Sequence, residues 1–226
     1  MLGFAGLCGN ASTKSAVAKD AAVLVGAGDI ADCRNLAGAQ ATAKLLEKIP
    51  GTVMAVGDLA YPDGTAENFT CYDKTWGREK MRTRPAPGNH EFHSAGAAYY
   101  FNYFGAAAGD PSRGYYSYEL ASWHIVVLNS ECADVGGCDA DSVQGKWLRE
   151  DLAAHPLACT LAYFHKPLFS SGGAHGDERR GRVARHHQLI EHRPRDRRQR
   201  RVWFDGGAGA VGEEGGGRRG HGGNCS

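Results

Sequence analysis

Up to about residue 165, apolar residues fall in short runs and one-sided stripes, each closed by glycine, proline or a polar side chain. Ala21–Val25 is an apolar run that ends in Gly26-Ala27-Gly28-Asp29, the pattern of a buried strand delivering a loop. From Leu36 to Ile49, Ala39, Ala43, Leu46 and Ile49 recur at helical spacing, and Pro50-Gly51 stops the helix. Thr52–Val56 is a second buried strand and again ends in Gly-Asp. Strand, helix and strand over so short a stretch predict a parallel pair joined by a right-handed crossover. In open α/β sheets the ligand lies beyond the carboxyl ends of such strands, where Asp29 and Asp58 fall.

The pattern continues with a stiff, proline-rich approach, Arg84-Pro-Ala-Pro-Gly-Asn-His-Glu91, to a polar loop. Tyr99–Phe104 is aromatic and is expected to pack beneath that loop. Tyr115–Leu120 and Trp123–Asn129 predict adjacent strands turning at Ala121-Ser122. Asp139 to Ala154 predicts an amphipathic helix with Val143, Trp147, Leu148 and Leu152 on one side, closed by Pro156. Cys159–Phe164 predicts another buried strand, ending at His165-Lys-Pro. The reading is an α/β chain in which several strand ends present Asp, Asn or His.

Composition divides the chain. Residues 1–177 carry 14 Lys+Arg against 19 Asp+Glu, whereas residues 178–226 carry 12 Arg, no Lys and 6 acids, so the overall charge of +1 conceals two opposite parts. Periodicity stops at the same place: an Arg-rich stretch (Arg193, Arg195, Arg197, Arg198, Arg200, Arg201) gives way to Gly-rich text. An arginine run can neutralise phosphates, but a run without period reads as a disordered or frame-shifted tail rather than a nucleic-acid surface. The expected organisation is a leader over 1–20, a domain over 21–177 and an Arg/Gly-rich tail over 178–226. No run of 18 apolar residues exists, so no transmembrane helix is expected. The small-residue start, Met1 to Ala11, is at most the remnant of a signal peptide.

The seven cysteines form no C-x-x-C pair, which argues against a zinc ribbon or a thioredoxin motif. Cys132 and Cys138 flank a flexible Ala-Asp-Val-Gly-Gly loop that a disulfide can close, and Cys33 and Cys71 are a second candidate pair. Cys159 opens an apolar strand and reads as a buried thiol. Disulfides imply export, so a periplasmic or extracellular protein is expected.

The residues with chemistry to offer sit at the strand ends. Carboxylates are hard ligands, and Asp29 and Asp58 at neighbouring strand ends can hold cations. Each Gly-Asp alone is more often a turn. Tyr61, three residues after Asp58, offers a phenol; alone it reads as a packed aromatic. Pro87-Gly88-Asn89-His90-Glu91 places turn-forming and polar residues where nothing is buried, so Asn89 and His90 weigh more. A competing pattern is present: Val23-Leu-Val-Gly26-Ala-Gly28-Asp-Ile-Ala31 matches a dinucleotide fingerprint, but the acid ending the second strand, Asp58, lies 30 residues past Gly28 rather than about 20.

In conjunction, Gly28-Asp29-Ile-Ala, Gly57-Asp58-Leu-Ala-Tyr61, Gly88-Asn89-His90-Glu91 and strand-end His165 resemble the calcineurin-like metallophosphoesterases, over roughly residues 22–175. The absence of a histidine in the first motif, together with Tyr61, is similar to the purple acid phosphatase branch. The resemblance implies an αββα sandwich of two mixed sheets flanked by helices, with its C-terminal part truncated or aberrant. It also implies a two-metal site, Fe(III) with Zn, Mn or Fe(II), at which a metal-bound hydroxide hydrolyses a phosphate monoester. Residue by residue, Asp29 and Tyr61 would hold the first metal, Asp58 would bridge, and Asn89 and His165 would hold the second. His90 would contact the phosphate and protonate the leaving group, and His175 would contact substrate. The family's last motif, G-H-x-H, which gives a histidine to each metal, is absent from this sequence. Two alternatives therefore stand beside the enzyme: an inactive remnant or binding protein with an incomplete metal site, and a dinucleotide-binding oxidoreductase.

Overall fold

A computed structural model of the chain describes residues 22–157, 159–167, 200–205 and 211–213. Three strands, β1 (Leu24–Ala27), β3 (Thr52–Val56) and β5 (Thr83–Ala86), form a wholly parallel sheet in the order β1-β3-β5. Pro85 sits in β5, an edge strand of that sheet, where a missing N–H costs no ladder bond. Two-residue strands β2 (Ala31–Asp32) and β4 (Ala60–Tyr61) pair in parallel just beyond β1 and β3. A second sheet has the order β10-β9-β8-β7-β6, built from β6 (Tyr116–Leu120), β7 (Trp123–Val127), β8 (Cys159–Phe164), β9 (Arg200–Asp205) and β10 (Val211–Glu213). Its middle strands run parallel and both outer pairs are antiparallel. Two mixed sheets were expected; among the described residues only the second is mixed.

The period of two along the strands sorts the layers. In β3, Val53 and Ala55 face one cluster, which also holds Ala39, Ala43 and Leu46 of α1 (Ala37–Leu46), Phe69 and Tyr72 of α2 (Ala66–Asp73), and Tyr100 and Phe104 of α3 (Ala98–Phe104). Met54 and Val56 face the opposite way, and there they meet Ile125 and Val127 of β7 and Tyr163 of β8. The two sheets thus share one core. Tyr163 and Tyr116 lock it by donating their hydroxyls to the carbonyls of Arg84 and Pro85. On the far face of the second sheet, Val126, Leu128, Ala162 and Phe164 pack against Leu148 of α4 (Val143–Ala154). The order of layers is helices, sheet, sheet, helix.

Local chemistry sets the helix starts. Thr65 caps α2, accepting from Asn68 N while the Asn68 side chain answers the Thr65 N–H, a reciprocal capping box. Ser142 caps α4 by accepting from Gly145 N. Cys33–Cys71 and Cys132–Cys138 are disulfides, as the spacing allowed. Cys159 is buried as expected but is disulfide-bonded, not a free thiol. Its apolar run marked the burial and could not show the bond. No helix among the described residues is long and apolar enough to cross a membrane. Two of the strands, β9 and β10, belong to the Arg/Gly-rich segment.

Candidate metal centre

Two aspartates adopt the same unusual backbone conformation. Asp29 follows β1 with φ 55° and Asp58 follows β3 with φ 52°. The left-handed region costs an L residue roughly 1–2 kcal/mol, and strain of this kind clusters at functional sites. Here it turns both carboxylates toward the same sheet edge. The Tyr61 hydroxyl donates to Asp29 Oδ1 at 2.5 Å and lies 3.1 Å from Asp58 Oδ2. His165 Nε2 is 3.2 Å from that same Asp58 oxygen, and His90 Nε2 is 3.6 Å from it. Asp58 Oδ2 is therefore the point on which a phenol and two imidazoles converge, with the Asp29 carboxylate alongside.

Both imidazoles are fixed from behind. His165 Nδ1 is 3.0 Å from Val56 O, and His90 Nδ1 is hydrogen-bonded to Pro62 O. A carbonyl only accepts, so in each ring Nδ1 carries the proton and donates it, and Nε2 is left to face Asp58. A histidine that donates one N–H to a backbone carbonyl while presenting the other nitrogen is oriented as metal-ligating histidines are.

Glu91 holds the loop that holds Asp58. Fully buried, it accepts from Asp58 N at 2.9 Å, Leu59 N at 2.8 Å, Ala60 N at 3.3 Å and Gly88 N at 2.8 Å. Three successive backbone N–H groups wrapped round a carboxylate make an anion nest. The His90 N–H adds a bond to Asp58 Oδ1 at 3.0 Å. Glycine is needed at two points of close approach. A Cβ on Gly88 would lie 2.3 Å from Asp58 Oδ1, and one on Gly57 would lie 2.4 Å from the His165 side chain.

The electrostatics are those of a site that wants positive charge. Burial alone would lower the His165 imidazole, but the hydrogen bond and charge of Asp58, with the charge of Asp29, raise it to about 9. Burial, the bond to Asp29 and the charge of Asp58 push the Tyr61 phenol far above its usual range. Burial and the Asp58 charge push Glu91 up to about 7 against the amides of Gly88 and Leu59. The donor set, two carboxylates, a phenol and imidazole nitrogen, suits a transition-metal ion that accepts hard oxygen and nitrogen ligands. Asp29, Asp58 and His165 present ligand atoms within 4.8 Å of one another.

Of the residues singled out from sequence, Asp29, Asp58, Tyr61, His90 and His165 come together. Asn89 lies in the turn before His90, and its side-chain amide makes no hydrogen bond among the described residues. His175 lies outside the described residues. The dinucleotide alternative is overturned. The chain after Gly28 enters β2 rather than a helix, and the N–H groups of Asp29, Ile30 and Ala31 are bonded to the carbonyls of Gly57, Asp58 and Leu59. No helix N-terminus is presented for a pyrophosphate.

Sequence reasoning missed a second group. His124 of β7 with Asp151 and His155 of the α4 end also brings its ligand atoms within 4.8 Å. Asp151 and His155 at i, i+4 were a visible signal, but nothing in the sequence joined them to a strand 27 residues earlier.

No family model and no curated protein matches the chain. Among solved structures, it is similar to a purple acid phosphatase isolated from yellow lupin (Lupinus luteus) seeds, with a TM-score of 0.51 and 16% identity. The likeness is one of fold. It covers 67% of this chain and 31% of the lupin chain, so this chain spans under a third of that protein's length.

Proposed function

We propose that the chain carries a metallophosphoesterase-type site of the purple acid phosphatase-like branch that hydrolyses small phosphate monoesters. One observation carries the reading: Asp29, Tyr61, His165 and His90 all converge on Asp58 beyond the carboxyl ends of parallel strands. The distant likeness to the lupin phosphatase supports the same fold, the αββα sandwich. The disulfides Cys33–Cys71 and Cys132–Cys138 are compatible with an exported protein.

In this reading Asp29 and Tyr61 would hold one metal ion, His165 with Asn89 would hold the other, and Asp58 would serve both; the pair would be Fe(III) with Zn, Mn or Fe(II). When bound, the ions supply charge neutralisation for the phosphoryl oxygens and lower the pKa of water for attack on phosphorus. The protein's share is positioning and proton control. His165, 3% exposed, keeps its Nε2 lone pair aimed at the bridge because Nδ1–H is tied to Val56 O. Asp29 is exposed, so the site is open to substrate from its side. With Nδ1–H held on Pro62 O, a second proton taken up at Nε2 would make His90 an imidazolium able to give that Nε2 proton to the departing alkoxide oxygen as the P–O bond breaks. Glu91 keeps Asp58 in its left-handed turn.

A second reading rests on one specific observation: the sequence has no G-H-x-H. Without those donors the site would bind metal and phosphate but turn over poorly or not at all. Metal analysis and hydrolysis of an aryl phosphate separate the two. Turnover that Asp58→Asn abolishes, together with the loss of two metal equivalents in that variant, is the enzyme's signature. Bound metal without turnover leaves the binding reading, and neither metal nor turnover refutes both.

A further inference from the structure

The second sheet carries another convergent group that the candidate centre does not use. His124 lies near the start of β7 and is opposite Thr160 of the parallel strand β8, whereas His165 lies just past the end of β8. Five residues of strand separate the two ends, roughly 16 Å at about 3.3 Å per residue. The alternation of β7 puts His124 on the same face as Val126 and Leu128, toward α4. There its Nε2 meets Asp151 Oδ2 at 2.6 Å. One turn on, at the end of α4, His155 Nδ1 is 3.4 Å from Asp151 Oδ1 and 2.9 Å from Asp151 O. The two imidazole rings stack, with centroids 4.4 Å apart.

We propose that His124, Asp151 and His155 form a second, mononuclear site for Zn²⁺ or a similar divalent ion. Two imidazoles and one carboxylate are the donors of a three-ligand zinc site whose fourth position belongs to water. The residues are graded in access as such a site requires. His124 is wholly buried, Asp151 is 8% exposed, and the His155 side chain is 38% exposed and opens the group to solvent. The carboxylate has the outer support that metal-binding carboxylates have, since Ser117 Oγ donates to Asp151 Oδ1 at 2.6 Å and leaves Oδ2 for the ion.

His124 commits only one ring nitrogen to Asp151. Its Nδ1 is buried and has no partner among the described residues, so the ring's proton sits on Nε2, in the 2.6 Å contact with Asp151. A divalent ion replaces that proton. Metal–nitrogen and metal–oxygen bonds of about 2.0–2.2 Å put two ligands roughly 3 Å apart, so the His124–Asp151 contact opens by a few tenths of an ångström. The side chain of His155 must also turn from the Asp151 carbonyl toward the carboxylate. That motion is available to a partly exposed residue just past the helix.

The test separates this group from the candidate centre. In the full-length Asp58→Asn variant, titration with Zn²⁺ alone is expected to show one remaining equivalent. Co²⁺ in its place should give the visible absorption of a four-coordinate ion. Adding His155→Gln, which keeps a polar side chain at an accessible position, should weaken that binding at least tenfold. Phosphate ester turnover of the single His155→Gln variant should match that of the parent. If Asp58→Asn does not fold, the parent and the single His155→Gln variant are compared directly, with one fewer zinc equivalent expected. Equal zinc content with and without His155, or no zinc retained in folded Asp58→Asn, overturns the proposal and leaves a hydrogen-bonded latch between α4 and the sheet.

Discussion

Gly88→Ala puts the geometry of the candidate centre under direct strain. The added methyl would sit 2.3 Å from Asp58 Oδ1, 2.4 Å from Asp58 N and 2.8 Å from His165 Cδ2. Ordinary contact begins near 3.4 Å, so about 1 Å of movement is forced. Neither obstacle can swing away. Asp58 N is backbone tied to Glu91, and Asp58 Oδ1 already accepts from His90 N. Overpacking of this kind costs about 1–3 kcal/mol, within reach of a domain stabilised by roughly 5–15 kcal/mol. A displacement of about 1 Å among catalytic groups can cost on the order of 100-fold in rate. The variant is therefore expected to stay folded, with a lower urea midpoint, and to lose at least tenfold in metal affinity and about 100-fold in kcat/KM on an aryl phosphate. Gly38→Ala is the control. Gly38 is exposed on α1, a Cβ there meets nothing within 4 Å, and alanine in a helix is worth roughly 0.5–1 kcal/mol over glycine. It should stabilise and leave metal binding unchanged. A Gly88→Ala protein with parental metal affinity would refute the claim that this approach fixes Asp58.

Glu91, raised to about 7, makes a pH-dependent contribution: fully present below its ordinary 4.5, it is lost as pH rises through about 7. Glu91→Gln should flatten that fall, and the stability gap between parent and variant should change by up to roughly 3 kcal/mol between pH 4.5 and 8; a constant gap in urea titrations would count against it. Cys33–Cys71 spans a sequence separation of 38, for which loop closure predicts about 4 kcal/mol. Replacing both cysteines with serine should lower stability by up to that amount while leaving the metal ligands in place, and an unchanged denaturation midpoint would contradict it. With iron bound, the parent is expected to show a visible phenolate-to-iron band that Tyr61→Phe lacks. A colourless iron-loaded parent would count against Tyr61 as a ligand.

The strands near the site are legible in the sequence. Thr52–Val56 and Cys159–Phe164 occur with their expected bounds because continuous apolar runs ended by Gly-Asp or His-Lys-Pro leave little freedom. The helix from Leu36 to Ile49 shortens to Ala37–Leu46, since its last turn relaxes before Pro50-Gly51. Asp29, Asp58, Tyr61, His90 and His165 were recognisable as an ordered set, since a lone Gly-Asp reads as a turn and a lone Tyr61 as a packed aromatic. What sequence could not supply was convergence. That Tyr61 reaches Asp29 across 32 residues depends on the parallel pairing of β2 with β4, and that His165 reaches Asp58 across 107 depends on two separate sheets packing face to face. Nor could a local pattern show that Glu91 closes on four backbone amides, or that His124 meets Asp151 through the face of a sheet. Periodicity and turn chemistry act within a few residues of the chain and so are written in it. The distance between a strand end and a side chain many residues away is set by packing, which only the folded core decides.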